Sequence, residues 1–137
     1  MPMPLVKGSL EDREQIRELY ARYAITIDEC RFEDWVRCFT ADGVFESPIH
    51  GTHSGHDGLR KFCDYYKDTW QGAQVRHMIV NVSFEVEGDQ GNGSCGLIYF
   101  HIKDGNTELV AVGGYRDELR KVDGNWLFAQ RKVWINK

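Results

Sequence analysis

The sequence predicts an α+β fold in which N-terminal helices pack in the concave face of a strongly curved, mostly antiparallel sheet, giving a cone with one open end. Three observations carry that expectation. Apolar residues recur at helical spacing only in the first half of the chain, as in Ile16, Leu19, Tyr20, Tyr23, Ala24 and Ile27. From residue 75 onward apolar and polar residues alternate instead, broken by the hairpin signals Gly88-Asp89, Asp104-Gly105 and Asp123-Gly124. Gly113-Gly114 then falls in the middle of a strand, where a sheet that curves sharply needs a bend or bulge.

Taken in order, residues before Ser9 read as a loose arm. Ser9 followed by Asp12 resembles a capping box, and Glu11 and Asp12 suit the positive end of a helix dipole, so a helix is expected over about 10–29. Phe32, Trp35, Val36 and Phe39 continue as a short second helix ending at the turn-rich Thr40-Ala41-Asp42-Gly43. Val44 to Ser47 begins a strand that Pro48 stops, and Gly51 to Gly55 reads as a loop. A third helix is expected near 56–70, its inner face formed by Leu59, Phe62, Tyr65, Tyr66 and Trp70. Strands follow over about 75–87, 94–103, 108–122 and 126–135, with no repeat or linker, so residues 1–137 are expected to form a single domain.

Composition narrows the function classes. The 137 residues are 42% hydrophobic and 12% aromatic, which excludes a disordered chain. A formal net charge of -4 with scattered Lys and Arg argues against nucleic acid or an anionic membrane as partner. No apolar run is long enough to span a bilayer, and Met1-Pro2-Met3-Pro4 lacks the layout of a signal peptide. Cys30, Cys38, Cys63 and Cys95 have no CxxC spacing and read as reduced thiols of a cytoplasmic protein. The phosphate-cradling P-loop pattern GxxxxGK[ST], GxSxG and HExxH are all missing.

The chemistry is concentrated in polar residues placed where the pattern asks for apolar ones. Asp28 ends the first helix at the edge of its apolar stripe, against the dipole, where it can look into a cavity or into water. His77 shares a strand face with Val75 and Ile79, opposite Met78, Val80 and Val82; it is a core histidine or a proton acceptor. Arg131 points the way Leu127, Ala129, Val133 and Ile135 point, and needs either a structural acid such as Asp117 or Glu46 or an anionic ligand. Tyr23 lies on the inner stripe of the helix with a hydroxyl that must be satisfied, and His101 shares a register with Leu97 and Tyr99. His50, His53 and His56 invite zinc, but no carboxylate or thiolate accompanies them in their Gly/Ser loop, so a solvated loop is the better reading. Trp126, Phe128 and Trp134 fall on the opposite, exterior register of the last strand and are expected to support a homodimer or homotrimer.

Several segments together resemble the SnoaL-like, scytalone dehydratase-like group. They are Tyr20-Ala21-Arg22-Tyr23 leading to Asp28, Trp35 to Phe39 followed by Ala41 to Phe45, and Gly55 to Phe62. The strand from His77 to Asn81 and the ending Gly114 to Asp117, Asp123 to Trp126 and Arg131 complete the likeness. The resemblance implies the cone fold and, for its lyases, an aspartate–histidine dyad at Asp28 and His77. It also implies a hydroxyl or cationic partner at Tyr23 and Arg131 and a second imidazole at His101. The activity it implies is elimination, dehydratase-like, on an apolar cyclic ketone, steroid or polyketide-like compound without metal or organic cofactor. An isomerase, an aldol-type cyclase and a non-catalytic binding or accessory module are the alternatives, since this fold hosts all of them.

Overall fold

The structure, a computed structural model, describes residues 8–137; most of the arm expected before Ser9 lies outside the described residues. The first helix, α1 (Leu10–Asp28), starts where the Ser9 hydroxyl accepts the Asp12 N–H at 3.0 Å. It ends against Cys30, whose backbone is left-handed at φ 59°. Its buried stripe is the periodic set Ile16, Leu19, Tyr20, Tyr23, Ala24 and Ile27. The second helix, α2 (Phe32–Val36), is a single short turn and stops before Phe39.

Phe39 instead opens β1 (Phe39–Ser47), which absorbs the expected turn Thr40 to Gly43 as an irregularity in its pairing. A side chain at Gly43 would press on Phe39 and on the Thr40 carbonyl, so that compact kink requires glycine. The stretch expected to be a loop is a second strand, β2 (Gly51–Ser54), paired antiparallel to β1 from Val44↔Ser54 to Ser47↔Gly51. The turn between them is built by the Ser47 hydroxyl, which accepts the N–H groups of Ile49 and His50 at 3.2 Å each. The third helix, α3 (Gly55–Tyr66), tightens into one 3₁₀ turn (Lys67–Trp70) that ends at left-handed Gln71. Of its expected inner face, Tyr65 is exposed while Leu59, Phe62, Tyr66 and Trp70 are buried.

Four long strands follow: β3 (Gln74–Glu87), β4 (Gln90–Lys103), β5 (Asn106–Val122) and β6 (Asn125–Ile135). The sheet order is β2-β1-β6-β5-β4-β3, antiparallel except for the β1–β6 pair, and it does not close, leaving β2 and β3 as edges. The helices cover one face of it, and the core forms there, with the Tyr23 ring against Trp35, Phe39, Tyr115 and Phe128.

Two bulges invert the alternation that a straight strand would keep. In β3 the register shifts between Val80 and Ser83, where Asn81 adopts φ 54°. Val75, His77 and Ile79 therefore face inward before the bulge, and Val82, Phe84 and Val86 after it. In β6 the shift lies opposite Glu118–Leu119. It turns Trp126 and Phe128 inward, at 2% and 0% exposure, while leaving Arg131 and Val133 inward as well. Trp126 and Phe128 thus belong to the core and not to an exterior contact face.

The glycine pair Gly113-Gly114 has a different use from the one its position suggested. Pairing of β4 with β5 runs through it without a break, and the bulge sits further along, between Tyr99 and Phe100. What the pair permits is close approach: a side chain at Gly114 would collide with the Trp134 ring, and one at Gly113 with the Trp134 carbonyl. Gly114→Ala is expected to lower stability by about 1–3 kcal/mol, the usual cost of overpacking, read as a shift in the urea midpoint at constant slope. Combining it with Trp134→Ala removes the obstructing ring and is expected to return part of that loss.

Candidate active site

A small cavity of about 90 Å³ opens between α1, α3, the β1–β2 turn and the concave face of the sheet. Its apolar wall comes from Ile27, Trp35, Phe45, Leu97 and Val133. Its polar lining comes from His77, His50, Ser47, Tyr66, Tyr99 and, deeper, Tyr23 and Tyr115. No Lys, Arg, Asp or Glu lines it among the described residues.

Asp28 is the last residue of α1, so its carboxylate leaves the helix beside the edge strand β3. An edge strand has backbone N–H groups that no neighbouring strand uses. Asp28 takes one of them, the His77 N–H, on Oδ2 at 2.9 Å, and takes the His77 ring at Nδ1 on Oδ1 at 2.5 Å. Both side chains are almost fully enclosed, at 9% and 8% exposure. A carboxylate accepts only, so Nδ1 donates to Asp28 and Nε2 is the ring nitrogen left to the cavity. There Nε2 lies 3.4 Å from the Tyr66 hydroxyl.

From Tyr66 a polar chain continues outward. The Tyr66 and Tyr99 hydroxyls are 2.9 Å apart, and the Tyr99 hydroxyl lies 3.2 Å from Nε2 of His101. Burial pushes the Tyr66 phenol well above its ordinary pKa. Tyr99 is pushed up to about 12, mainly by burial, with the Asp28 charge adding to it. Both therefore remain neutral hydroxyls at working pH. His101 does not line the cavity and meets it only through Tyr99.

Tyr23 lines the cavity, but its hydroxyl pairs with that of Tyr115, and complete burial holds its pKa far above that of a free phenol. Arg131 lies beneath these two rings with no exposure at all. Its guanidinium sits 3.7 Å from the Tyr115 ring centre and 4.2 Å from that of Tyr23, so two rings stand between it and the cavity. Asp117 holds it in a two-pronged ion pair, Nε–Oδ1 2.8 Å and Nη2–Oδ2 3.2 Å. The Tyr20 hydroxyl donates to Asp117 Oδ2 at 2.5 Å, and the Cys95 sulfur lies 3.4 Å from Nη2. Arg131 is thus paired with an internal acid through Nε and Nη2, one of the two arrangements that its inward register had left open, while its Nη1 is buried without a hydrogen-bond partner among the described residues.

The three clustered histidines are dispersed. His53 Nε2 donates to the His50 carbonyl at 2.8 Å and His56 Nε2 to the Phe39 carbonyl at 2.9 Å. No group of three His, Cys, Asp or Glu is placed to hold a metal ion among the described residues. His50 alone of the three lines the cavity, a position that sequence reasoning assigned to a solvated loop. Only the pairing of β2 onto β1, invisible to periodicity in so short a segment, brings it there.

The SnoaL-like domain family matches residues 8–132, and the chain belongs to that family. Among solved structures it is similar to Rv3472 of Mycobacterium tuberculosis, a protein of unknown function. That match has 28% identity and a TM-score of 0.84, covering 95% of this chain and 77% of that one. It is also similar to an NTF2-like protein with a cystatin-like fold from Novosphingobium aromaticivorans, at 25% identity and TM-score 0.85, covering 92% and 82%. A protein of unknown function from Nostoc punctiforme shares the fold at 23% identity and TM-score 0.84, covering 96% of each chain. No curated protein matches the sequence. No helix is long and apolar enough to cross a membrane among the described residues.

The Arg131–Asp117 pair makes a measurable claim. Arg131→Met strands a buried carboxylate and is expected to cost about 3–5 kcal/mol in urea unfolding, whereas Arg131→Met with Asp117→Leu is expected to recover most of it. Equal destabilisation by the single and the double change would remove the pair as the reason for the arginine.

Proposed function

We propose that this protein is a cofactor-independent lyase that eliminates water from a small, apolar, cyclic hydroxy ketone, with His77 as base and Asp28 as its orienting partner. The reading is carried by one observation, the 2.5 Å contact of Asp28 with Nδ1 that leaves Nε2 facing an apolar cavity. Nε2 takes a proton from the carbon next to the carbonyl, and the C–H electron pair passes to the carbonyl oxygen as an enolate. Asp28 stays ionised and stabilises the imidazolium. The enolate then reforms its carbonyl, a carbon–carbon double bond forms, and hydroxide leaves from the next carbon. It departs as water after taking back the proton from His77.

The cavity of about 90 Å³ is too small for a tetracyclic compound and matches a single ring at most. His101 contributes through Tyr99 and Tyr66, as the outer end of the hydroxyl chain. Tyr23 and Arg131 support the site from below, their polar ends committed to Tyr115 and Asp117. Residues 1–137 act as one cone domain in this reading, within the cytoplasm, where four free cysteines are stable. Exposed Met78, Val80, Leu109 and Val112 on the far side of β3 to β5 would join copies into a dimer or trimer.

Loss of water from a panel of cyclic hydroxy ketones, followed by the ultraviolet absorption of the enone product, tests the reaction. His77→Ala is expected to lower kcat/KM by roughly 10²–10⁴-fold, with Asp28→Asn comparable and circular dichroism unchanged. A folded His77→Ala protein with full turnover would end the proposal. Rearranged products of unchanged mass would move it to an isomerase.

A further inference from the structure

We propose that His50 is a second catalytic residue of this cavity, donating a ring N–H to the oxygen that becomes negative when His77 removes a proton. The inference rests on the reading of His77 as a base and supplies what that reading lacks. An enolate in an apolar cavity needs a hydrogen-bond donor aimed at it. The guanidinium that resemblance would offer is held by Asp117 behind two rings, and the Tyr23 hydroxyl is paired with Tyr115. His50 and His77 both line the space, on either part of one tyrosine. The His50 ring packs edge-on against the Tyr66 ring at 5.4 Å between centres, and His77 Nε2 reaches the hydroxyl of the same residue.

His50 is also held in place to an extent that a solvated turn residue is not. Its backbone N–H is bound by the Ser47 hydroxyl at 3.2 Å. Its carbonyl accepts from His53 Nε2 at 2.8 Å and from the Tyr65 hydroxyl at 3.3 Å. Its ring rests on Phe62 as well as Tyr66, 5.5 Å from the former. The ring nitrogens have no hydrogen-bond partner among the described residues. Three side chains thus fix the main chain of His50 while its imidazole is left for a ligand, the arrangement of a preorganised donor.

Protonation state supports the role. Partial burial, with His53 beside it, holds the His50 pKa below that of a free imidazole, so the ring is neutral at pH 7. The other titratable groups that face it are Tyr65 and Tyr66, both shifted upward by burial and both neutral. A neutral imidazole donates N–H without transferring its proton, so the step balances. The carbon loses a proton to His77, the electron pair ends on oxygen, and His50 only hydrogen-bonds that oxygen. The substrate class follows: an uncharged ring ketone, since no cation among the described residues lines the cavity to hold a carboxylate or phosphate.

The test uses the full chain and two probes. Deuterium uptake at the α carbon of cyclohexanone in D₂O is followed by proton NMR, and binding of 4-nitrophenolate, an oxyanion on a ring, by its absorbance shift. His50→Phe is expected to slow uptake roughly 10²–10³-fold and to weaken nitrophenolate binding by about tenfold, with the amide NMR spectrum showing an intact fold. His50→Gln, which keeps an N–H donor, is expected to recover much of both. Uptake that His77→Ala abolishes and His50→Phe leaves unchanged overturns the role of His50 while the base stands. No uptake by the unaltered protein, together with His50-dependent nitrophenolate binding, removes the proton-abstraction reading and retains His50 as an oxyanion anchor. Neither uptake nor His50-dependent binding overturns both.

Discussion

The carboxylate at the C-terminal end of α1 is placed where the helix dipole opposes it and where little water reaches it. Two N–H donors from a single residue make that position tolerable: the backbone and the ring of His77. Because one donor is main chain, the contact is also a joint between the helix and the edge of the sheet. The imidazole cannot rotate without breaking it. The depth of the cavity, the tautomer of the ring and the direction of Nε2 all depend on that joint.

A second buried carboxylate, Asp117, shows what the same chemistry becomes when it is closed. Guanidinium and phenol saturate its oxygens, and aromatic rings seal the cluster on the cavity side. Burial works against the charge on Arg131, yet Asp117 raises its affinity for the proton further still. Asp28 and Asp117 therefore divide the polar interior. One cluster leaves a ring nitrogen facing open space, and the other ties the β5–β6 pair to α1 through Tyr20. With the Arg131 guanidinium set behind two rings, an imidazole on the opposite wall with no hydrogen-bond partner on its ring among the described residues, His50, stands nearer the open space.

Much of this was legible in the chain. The amphipathic spacing of α1, the hairpin dipeptides and the anomalous polarity of Asp28, His77 and Arg131 are local signals, and local signals survive without a structure. Misreadings came where pairing between distant strands overrides the local pattern. Thr40 to Gly43 carries turn chemistry yet lies within β1, because β6 supplies pairing on either side of the kink. Trp126 and Phe128 keep the wrong parity for an interior face until the bulge opposite Glu118–Leu119 is known. His50 stands in a turn with no periodicity at all, and its approach to the cavity depends on Ser47, His53 and Tyr65 acting together.

By itself the sequence determined the α+β class, the order of the elements apart from β2, and the anomalous polarity of Asp28 and His77, because burial preference and helical or strand spacing are written residue by residue. Only the tertiary structure decided which acid meets which base. Asp117 took Arg131 and Asp28 took His77 because cross-strand register and helix placement bring those atoms within hydrogen-bonding distance. Register is a property of two segments at once, and a one-residue bulge reverses every side chain beyond it, so no single stretch of sequence records it.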